Sequence, residues 1–266
     1  MVGKGDDMPK AIMIQGTASG VGKTILTLAL CRIFMQDGHR TAPFKAQNMT
    51  LNTCLTENNE EIAVSQWLQA KAAGVVPGKD MNPIVISPPY RQRLTQAEKL
   101  SMITTAYGRI CSTYEIIVIE GAGSPVELNL NHDDIVNMGM AKHAAAPVLL
   151  AADIDRGGVF ASLYGTINLM RDWEKAHVKA TVVNRFRGDP ALFADGVRIL
   201  EDITKLPVAG VVPFVNFDLP EEDSPDGDGI KFERLHNYEQ EFDRIADTVR
   251  RHLNMGLVYE ILHNGV

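Results

Sequence analysis

The residues with the clearest chemistry are Gly16-Thr17-Ala18-Ser19-Gly20-Val21-Gly22-Lys23-Thr24. Glycines let successive backbone N–H groups turn toward an anion without an obstructing Cβ. A lysine ammonium at this place neutralises β- and γ-phosphates, and a threonine hydroxyl is a ligand suited to Mg²⁺. The pattern G-x-x-x-x-G-K-[ST] is met except that Gly16 comes one residue early. Backbone groups from Thr17 to Ile25, notably at Ser19, Gly20, Val21 and Gly22, are the expected cradle for a nucleoside triphosphate.

Four more stretches carry polar groups directly after apolar runs. Glu120 ends Ile116-Ile117-Val118-Ile119 and precedes Gly121-Ala122-Gly123. A carboxylate at such a strand end is where an NTPase holds Mg²⁺ or its water. Asp153-Ile154-Asp155-Arg156-Gly157-Gly158 follows Pro147–Ala152. If that segment is extended, Asp153 and Asp155 point the same way, to hold a second metal or orient substrate. Arg156 is placed to stabilise charge on a transferred phosphoryl group, or to pair with an aspartate and hold the loop. Lys45, Gln47 and Asn48 follow a third apolar run and suit a substrate carboxylate. Asn184, Arg185 and Arg187 follow a fourth. The Asn184 amide offers both a donor and an acceptor to a base edge, and the two arginines suit phosphates or substrate acids. His132, Asp133 and Asp134 supply too few ligands for a metal site. No Ser/His/Asp order or G-x-S-x-G elbow indicates nucleophilic hydrolysis.

These groups need strands to bring them to one edge. Apolar runs alternate with helical patterns along the chain, which predicts an α/β fold with a mainly parallel sheet and helices on both faces. Expected strands are Ala11–Gln15, Arg40–Phe44, Pro83–Ile86, Ile116–Ile119, Pro147–Ala152, Val178–Val183 and Val208–Val212. Expected helices are Ile25–Met35, Glu60–Ala73, Gln92–Cys111, Phe160–Met170, Pro190–Ile203 and Tyr238–Leu253. In the last of these Phe242, Ile245, Ala246, Val249 and Leu253 share a face, which predicts packing in cis. The expected division is a flexible start over 1–9, a nucleotide-binding domain over 10–216, an acidic Pro- and Gly-rich loop over 217–235, and a helical tail over 236–266.

The 266 residues suffice for one large α/β domain with an appendage. A net charge of -7, from 33 acidic and 26 basic side chains, argues against nucleic-acid binding through a basic surface. Cys31, Cys54 and Cys111 form no C-x-x-C pair, which fits reduced thiols in a cytoplasmic protein. The polar start and the lack of a membrane-length apolar run point the same way.

Taken together and in order, Gly16–Thr24, Phe44–Met49, Met81-Asn82-Pro83, Glu120–Pro125, Asp134–Met138, Ala152–Phe160 and Asn184–Asp189 resemble the amino-terminal half of the cobyric acid synthases. These are glutamine-dependent amidotransferases of cobalamin biosynthesis, with a synthetase half similar to dethiobiotin synthetase. The resemblance covers about residues 10 to 224. It implies the P-loop NTPase fold, ATP and Mg²⁺ as cofactors, and phosphorylation of a corrinoid side-chain carboxylate. Ammonia would then displace phosphate from the acyl phosphate. Lys23 and Thr24 would handle the triphosphate and Mg²⁺, Glu120 and Asp153 would serve as metal ligands, and Asn184, Arg185 and Pro213 would line the nucleotide. Lys45, Gln47, Asn48, Gly121, Asp153, Asp155 and Arg156 would lie toward the acceptor. A homodimer is a further expectation.

Two departures stand out. After Glu222-Asp223-Ser224 the family continues into a glutaminase domain, whereas this chain runs almost directly into a helix similar to the family's own tail. Ammonia would then come from solution or from a separate glutaminase subunit. After Met81-Asn82-Pro83 the family has a Lys-Pro pair and a further strand, where this chain has Ile86-Ser87-Pro88-Pro89. Two other readings share the phosphate loop. One is an ATP switch related to the partition ATPases, against which Ala18 stands where those carry a lysine. The other is a dethiobiotin-synthetase-like ligase acting on another small acid.

Overall fold

Continuous apolar runs, rather than alternating ones, mark strands that are covered on both faces. The computed structural model describes residues 9–86, 94–129, 134–219 and 238–265. The first half contains β1 (Lys10–Gly16), α1 (Lys23–Gln36), β2 (Thr41–Phe44), β3 (Gln47–Met49), β4 (Thr53–Leu55), β5 (Glu61–Ala63), α2 (Val64–Ala72), β6 (Ile84–Ile86), α3 (Gln96–Cys111) and β7 (Ile116–Glu120). Then come α4 (Met138–His143), β8 (Val148–Asp153), α5 (Val159–Leu169), α6 (Asp172–His177), β9 (Val178–Phe186), α7 (Ala194–Thr204), β10 (Val208–Pro213), α8 (Tyr238–His252) and α9 (Met255–Asn264).

The main sheet has the order β10-β9-β8-β1-β7-β2, and every pairing in it is parallel. Successive side chains on the central strands enter opposite cores. Ile12 and Ile14 of β1, with Ile116 and Val118 of β7, face Leu26, Leu30 and Phe34 of α1 and the last two helices. Ala11, Met13, Ile117 and Ile119 face Ile103 and Tyr107 of α3, Met140 of α4 and Leu163 of α5. Small two-stranded pairings, β3 with β6 and β4 with β5, lie apart from the main sheet.

The tail belongs to the core. Phe242, Ile245, Ala246 and Val249 of α8 and Val258, Ile261 and Leu262 of α9 are buried in the same cluster as α1. With the sheet on one side and α8 on the other, α1 is buried almost all round, from Leu26 to Phe34. Arg32 pairs across to Asp243 and Glu239, each at 2.8 Å. Arg250 grips Asp37 at 2.9 and 3.1 Å, and the Tyr259 hydroxyl donates to the same carboxylate. The Asn254 amide N–H donates to the Ala209 carbonyl at 2.7 Å, so the α8–α9 turn also binds the sheet edge.

Several expectations need correction. Residues 61–63 are a strand paired antiparallel with β4, so α2 starts at Val64 rather than Glu60; cross-strand pairing overrides the helical pattern there. The last helix of the sequence reading ends at His252, and α9 follows it, started by the Asn254 side chain accepting from the Leu257 N–H. Pro190–Phe193 is a separate 3₁₀ turn before α7. The described part of the helix expected over 92–111 begins at Gln96, where Thr95 and Glu98 form a capping box. Residues 1–8, most of the acidic loop, and His132 with Asp133 lie outside the described residues.

Two outcomes follow from the docked tail. Phe242→Ala should lower the unfolding free energy by roughly 3–5 kcal/mol, read from denaturant titration. Burial opposes the charge on Asp37, but the bonds from Arg250 and Tyr259 outweigh it and hold the carboxyl below the usual range. A depressed folded pKa contributes stability above the unfolded value, and that stability is lost as pH falls through the folded one. The stability gap between wild type and Asp37→Asn should therefore be open at pH 7 and close as the pH is lowered below about 4.

Candidate active site

In a wholly parallel sheet all carboxyl ends lie on one edge, and ligands gather there where neighbouring connections diverge. The central strand β1 has β7 on one side and β8 on the other. Its end runs into the glycine loop, whose Thr17 N–H is tied to the Ala151 carbonyl of β8 at 2.9 Å. The candidate groups just after β2 (Lys45), at the last residues of β7 (Glu120) and β8 (Asp153), and on β9 (Asn184) thus share one edge of the sheet.

The loop wraps Lys23. Its ammonium donates to the Ala18 and Gly123 carbonyls, both at 2.9 Å, and the residue is buried. A Cβ at Gly16 would lie 2.5 Å from a Val21 methyl carbon and 3.0 Å from the Lys23 chain. Gly22, at φ +96°, opens α1, and a Cβ there would meet the Asn184 amide nitrogen at 2.2 Å. That nitrogen donates to the Val21 carbonyl at 2.8 Å, so Asn184 clamps the loop to β9.

Glu120 accepts hydrogen bonds from four side chains and has 1% of its surface exposed. Its Oε1 accepts from the Lys45 ammonium at 2.9 Å and from the Thr24 hydroxyl at 3.0 Å. Its Oε2 accepts from Gln69 at 2.6 Å and from Gln66 at 3.4 Å. Asn48 joins the same network, donating to Gln66 Oε1 at 2.9 Å and to the Ser65 hydroxyl at 3.3 Å. Asn82 fixes the Lys45 backbone by donating to its carbonyl at 2.9 Å. The sequence reading gave no role to Gln66, Gln69 and Ser65, nor to Asn82, although that residue stands in the Met81–Pro83 motif. The available signal was the i, i+3 pair of amides on a helix face otherwise suited to apolar residues.

The donor set can be tested against Mg²⁺. Among the described residues no three His, Cys, Asp or Glu side chains cluster as metal ligands. A hydroxyl and a carboxylate that meet at 3.0 Å fit a hard cation whose other ligands are phosphate oxygens and water. The residues present therefore suit the ion that such a site takes with a nucleotide.

The β8 end differs from expectation. The strand stops at Asp153, and Asp155 sits in the following turn, its own N–H donating to Asp153 Oδ1 at 2.7 Å. The pair is therefore not two same-facing residues of one extended strand. Both acids are engaged at the end of β9, Asp153 with Arg185 at 3.3 Å and Asp155 with Nε and Nη2 of Arg187, just past the strand. The Arg187 contact holds the Asp155 carboxyl below its usual range. Arg187 in turn stacks on Phe214, just after Pro213, with 3.9 Å between guanidinium and ring centre. Arg185 holds φ +63°, the left-handed region unusual for a residue with a Cβ. Arg156 is exposed, and Gln47 is half-buried on β3. Asp134 caps the start of α4, accepting from the N–H groups of Val136, Asn137 and Gly139. Asn137 then clasps the backbone of Ala122, two residues past Glu120.

The parallel sheet, the glycine loop opening α1 and the Lys-Thr pair define the P-loop NTPase fold. The chain belongs to the AAA_26 family, described as an AAA domain, whose model matches residues 10–217. It is also similar to curated cobyric acid synthases. The protein of that name from Yersinia enterocolitica is 48% identical over 237 residues, covering 81% of this chain and 46% of the relative. That from Ruminiclostridium cellulolyticum is 49% identical over 236 residues, covering 82% and 46%. The chain thus spans about half the length of these relatives. No helix among the described residues is long and apolar enough to cross a membrane.

The Gly22–Asn184 contact yields a test. Gly22→Ala places a Cβ in the left-handed region, at about 1–2 kcal/mol, and displaces the Asn184 amide. Asn184→Ala removes the group it strikes. The two changes together should therefore cost less than the sum of each alone, in a double-mutant cycle read by urea unfolding.

Proposed function

We propose that the chain is an ATP- and Mg²⁺-dependent synthetase that turns a carboxylate into an amide, of the kind carried by the cobyric acid synthases. In this reading residues 10–216 are the synthetase unit, the tail over 236–266 completes its core, and the acceptor is a corrinoid side-chain acid. The observation that carries it is the convergence of Lys23, Thr24, Lys45 and Glu120 on the end of the central strand. The similarity to the relatives supports the choice of reaction.

Lys23 and the N–H groups of residues 17–25 bind the triphosphate. Thr24 and Glu120 would hold Mg²⁺, which would supply charge neutralisation for the triphosphate. Asn184 keeps the loop closed through Val21, and its amide oxygen suits an adenine amino group. Arg185, Phe214 and Pro213 lie beside it at the ends of β9 and β10. Lys45 balances the charge of the incoming carboxylate, with Gln47, Asn48, Gly121, Asp153, Asp155 and Arg156 toward the acceptor. A carboxylate oxygen attacks the γ-phosphorus, and ADP leaves. Ammonia then adds to the acyl carbon, loses a proton and expels phosphate, giving the amide. Catalysis is mostly positioning and charge neutralisation.

The nitrogen is ammonia from solution or from a separate glutaminase. Glutamine hydrolysis by a thiolate needs an accessible, acidified cysteine. Here burial pushes the Cys54 thiol up to about 11, and it raises Cys31 and Cys111 as well.

The test uses purified full chain, ATP, Mg²⁺, ammonium and a series of corrinoid acids. ADP release should require both acid and ammonium, and glutamine should not replace ammonium. Lys23→Met should lower kcat/KM at least about 100-fold. ATP hydrolysis at one rate with or without every acid tried would overturn the ligase reading, and ATP-driven dimerisation without acceptor-dependent turnover would favour a switch.

A further inference from the structure

We infer that Gln69, assisted by Gln66, is a positioning residue that fixes the plane of the Glu120 carboxylate so that one of its two oxygens faces the cation place beside Thr24. The inference rests on the reading of Thr24 and Glu120 as Mg²⁺ ligands given above.

A helix lying against a sheet normally presents apolar side chains. Here α2 presents two amides three residues apart, Gln66 and Gln69, both wholly buried. A buried amide is costly unless it is bonded, so their presence requires a partner. That partner is Glu120. Gln69 Nε2 reaches Oε2 at 2.6 Å, and Gln66 Nε2 reaches the same oxygen at 3.4 Å.

The orientation of the Gln69 amide is informative. Its Oε1 has no hydrogen-bond partner among the described residues, although it is buried. Turning the amide over would set that oxygen against the Glu120 carboxylate, which only accepts. The carboxylate therefore dictates the orientation, at the expense of the Gln69 carbonyl oxygen. Gln69 Nε2 also approaches the Thr24 carbonyl at 3.4 Å, so one amide touches both residues of the cation place. Gln66 is set in turn by Asn48 and Ser65, which both donate to its oxygen.

The consequence concerns the terminal torsion of Glu120: its two oxygens are equivalent, and its broad, roughly two-fold profile leaves the plane of the carboxylate free to turn. With Oε2 claimed by α2, Oε1 is the oxygen turned to the Thr24 hydroxyl and the Lys45 ammonium. Hydrogen bonds behind a metal ligand fix its direction, and their loss typically costs 10- to 100-fold in metal affinity. A merely structural amide would affect folding stability and leave metal affinity alone.

The experiment titrates Mn²⁺ into the full chain saturated with ADP and reads bound metal by electron paramagnetic resonance. Gln69→Met keeps an unbranched side chain and removes the donor. It should weaken Mn²⁺ about 10-fold while leaving ADP affinity without metal unchanged. Gln66→Met, at the longer contact, should produce a smaller weakening. If Gln69→Met binds Mn²⁺ like wild type while Glu120→Ala loses it, the positioning role is wrong and the metal site stands. If Glu120→Ala binds Mn²⁺ like wild type, the metal-site reading fails and takes this inference with it. Should Gln69→Met fail to fold by circular dichroism, Gln66→Met decides, and unchanged Mn²⁺ affinity there overturns the inference.

Discussion

A carboxylate sealed inside a protein must be met by donors on every side, and Glu120 imposes that requirement on its surroundings. Its partners come from the start of α1, the residue after β2, and two positions on α2. Each arrives by a different route along the chain. Satisfying one anion therefore pins the relative placement of α1, α2 and the β2 edge against β7. The same contacts put a hydroxyl, an ammonium and a carboxylate oxygen together at the end of the central strand, where a phosphate chain approaches. Structural and chemical demands coincide in one group of atoms.

The loop before α1 is held in a complementary way. Lys23 folds back into it and bonds its own loop and the Gly123 carbonyl, so the loop keeps the shape of a cradle. Asn184 closes it from β9, and that contact requires glycine at position 22. At the β8 end the acids are occupied by Arg185 of β9 and by Arg187 just past its end. These pairs join β8 to β9 where the strands stop, and they place a guanidinium on Phe214 beside them.

The tail explains the character of α1. A helix that carries a phosphate site at its front is commonly amphipathic, yet this one is apolar nearly all round. The reason is a second layer: α8 covers the side away from the sheet, and α9 continues the cover toward β1 and β10. Charge pairs from Arg32 and Arg250 set the register of α8 on α1. The site therefore stands on a helix that is immobilised from both sides.

Much of this was legible in the residues. Buried strands read as unbroken apolar runs because both faces of a parallel sheet are covered. The phosphate loop was evident because glycines, then lysine, then threonine provide bare N–H groups, a cation and a hydroxyl in the order that a nucleotide and its ion need. The polar residues at the strand ends could be named one by one, since a change from apolar to charged marks where a strand leaves the core. Tertiary structure alone decided which ends are neighbours. Strand order set β7 and β8 on either side of β1, gave Arg185 and Arg187 rather than Arg156 to the aspartates, and turned two glutamines of α2 toward Glu120. Local sequence encodes burial through periodicity, whereas a bond between residues 51 positions apart, as from Gln69 to Glu120, exists only once the sheet order has been chosen.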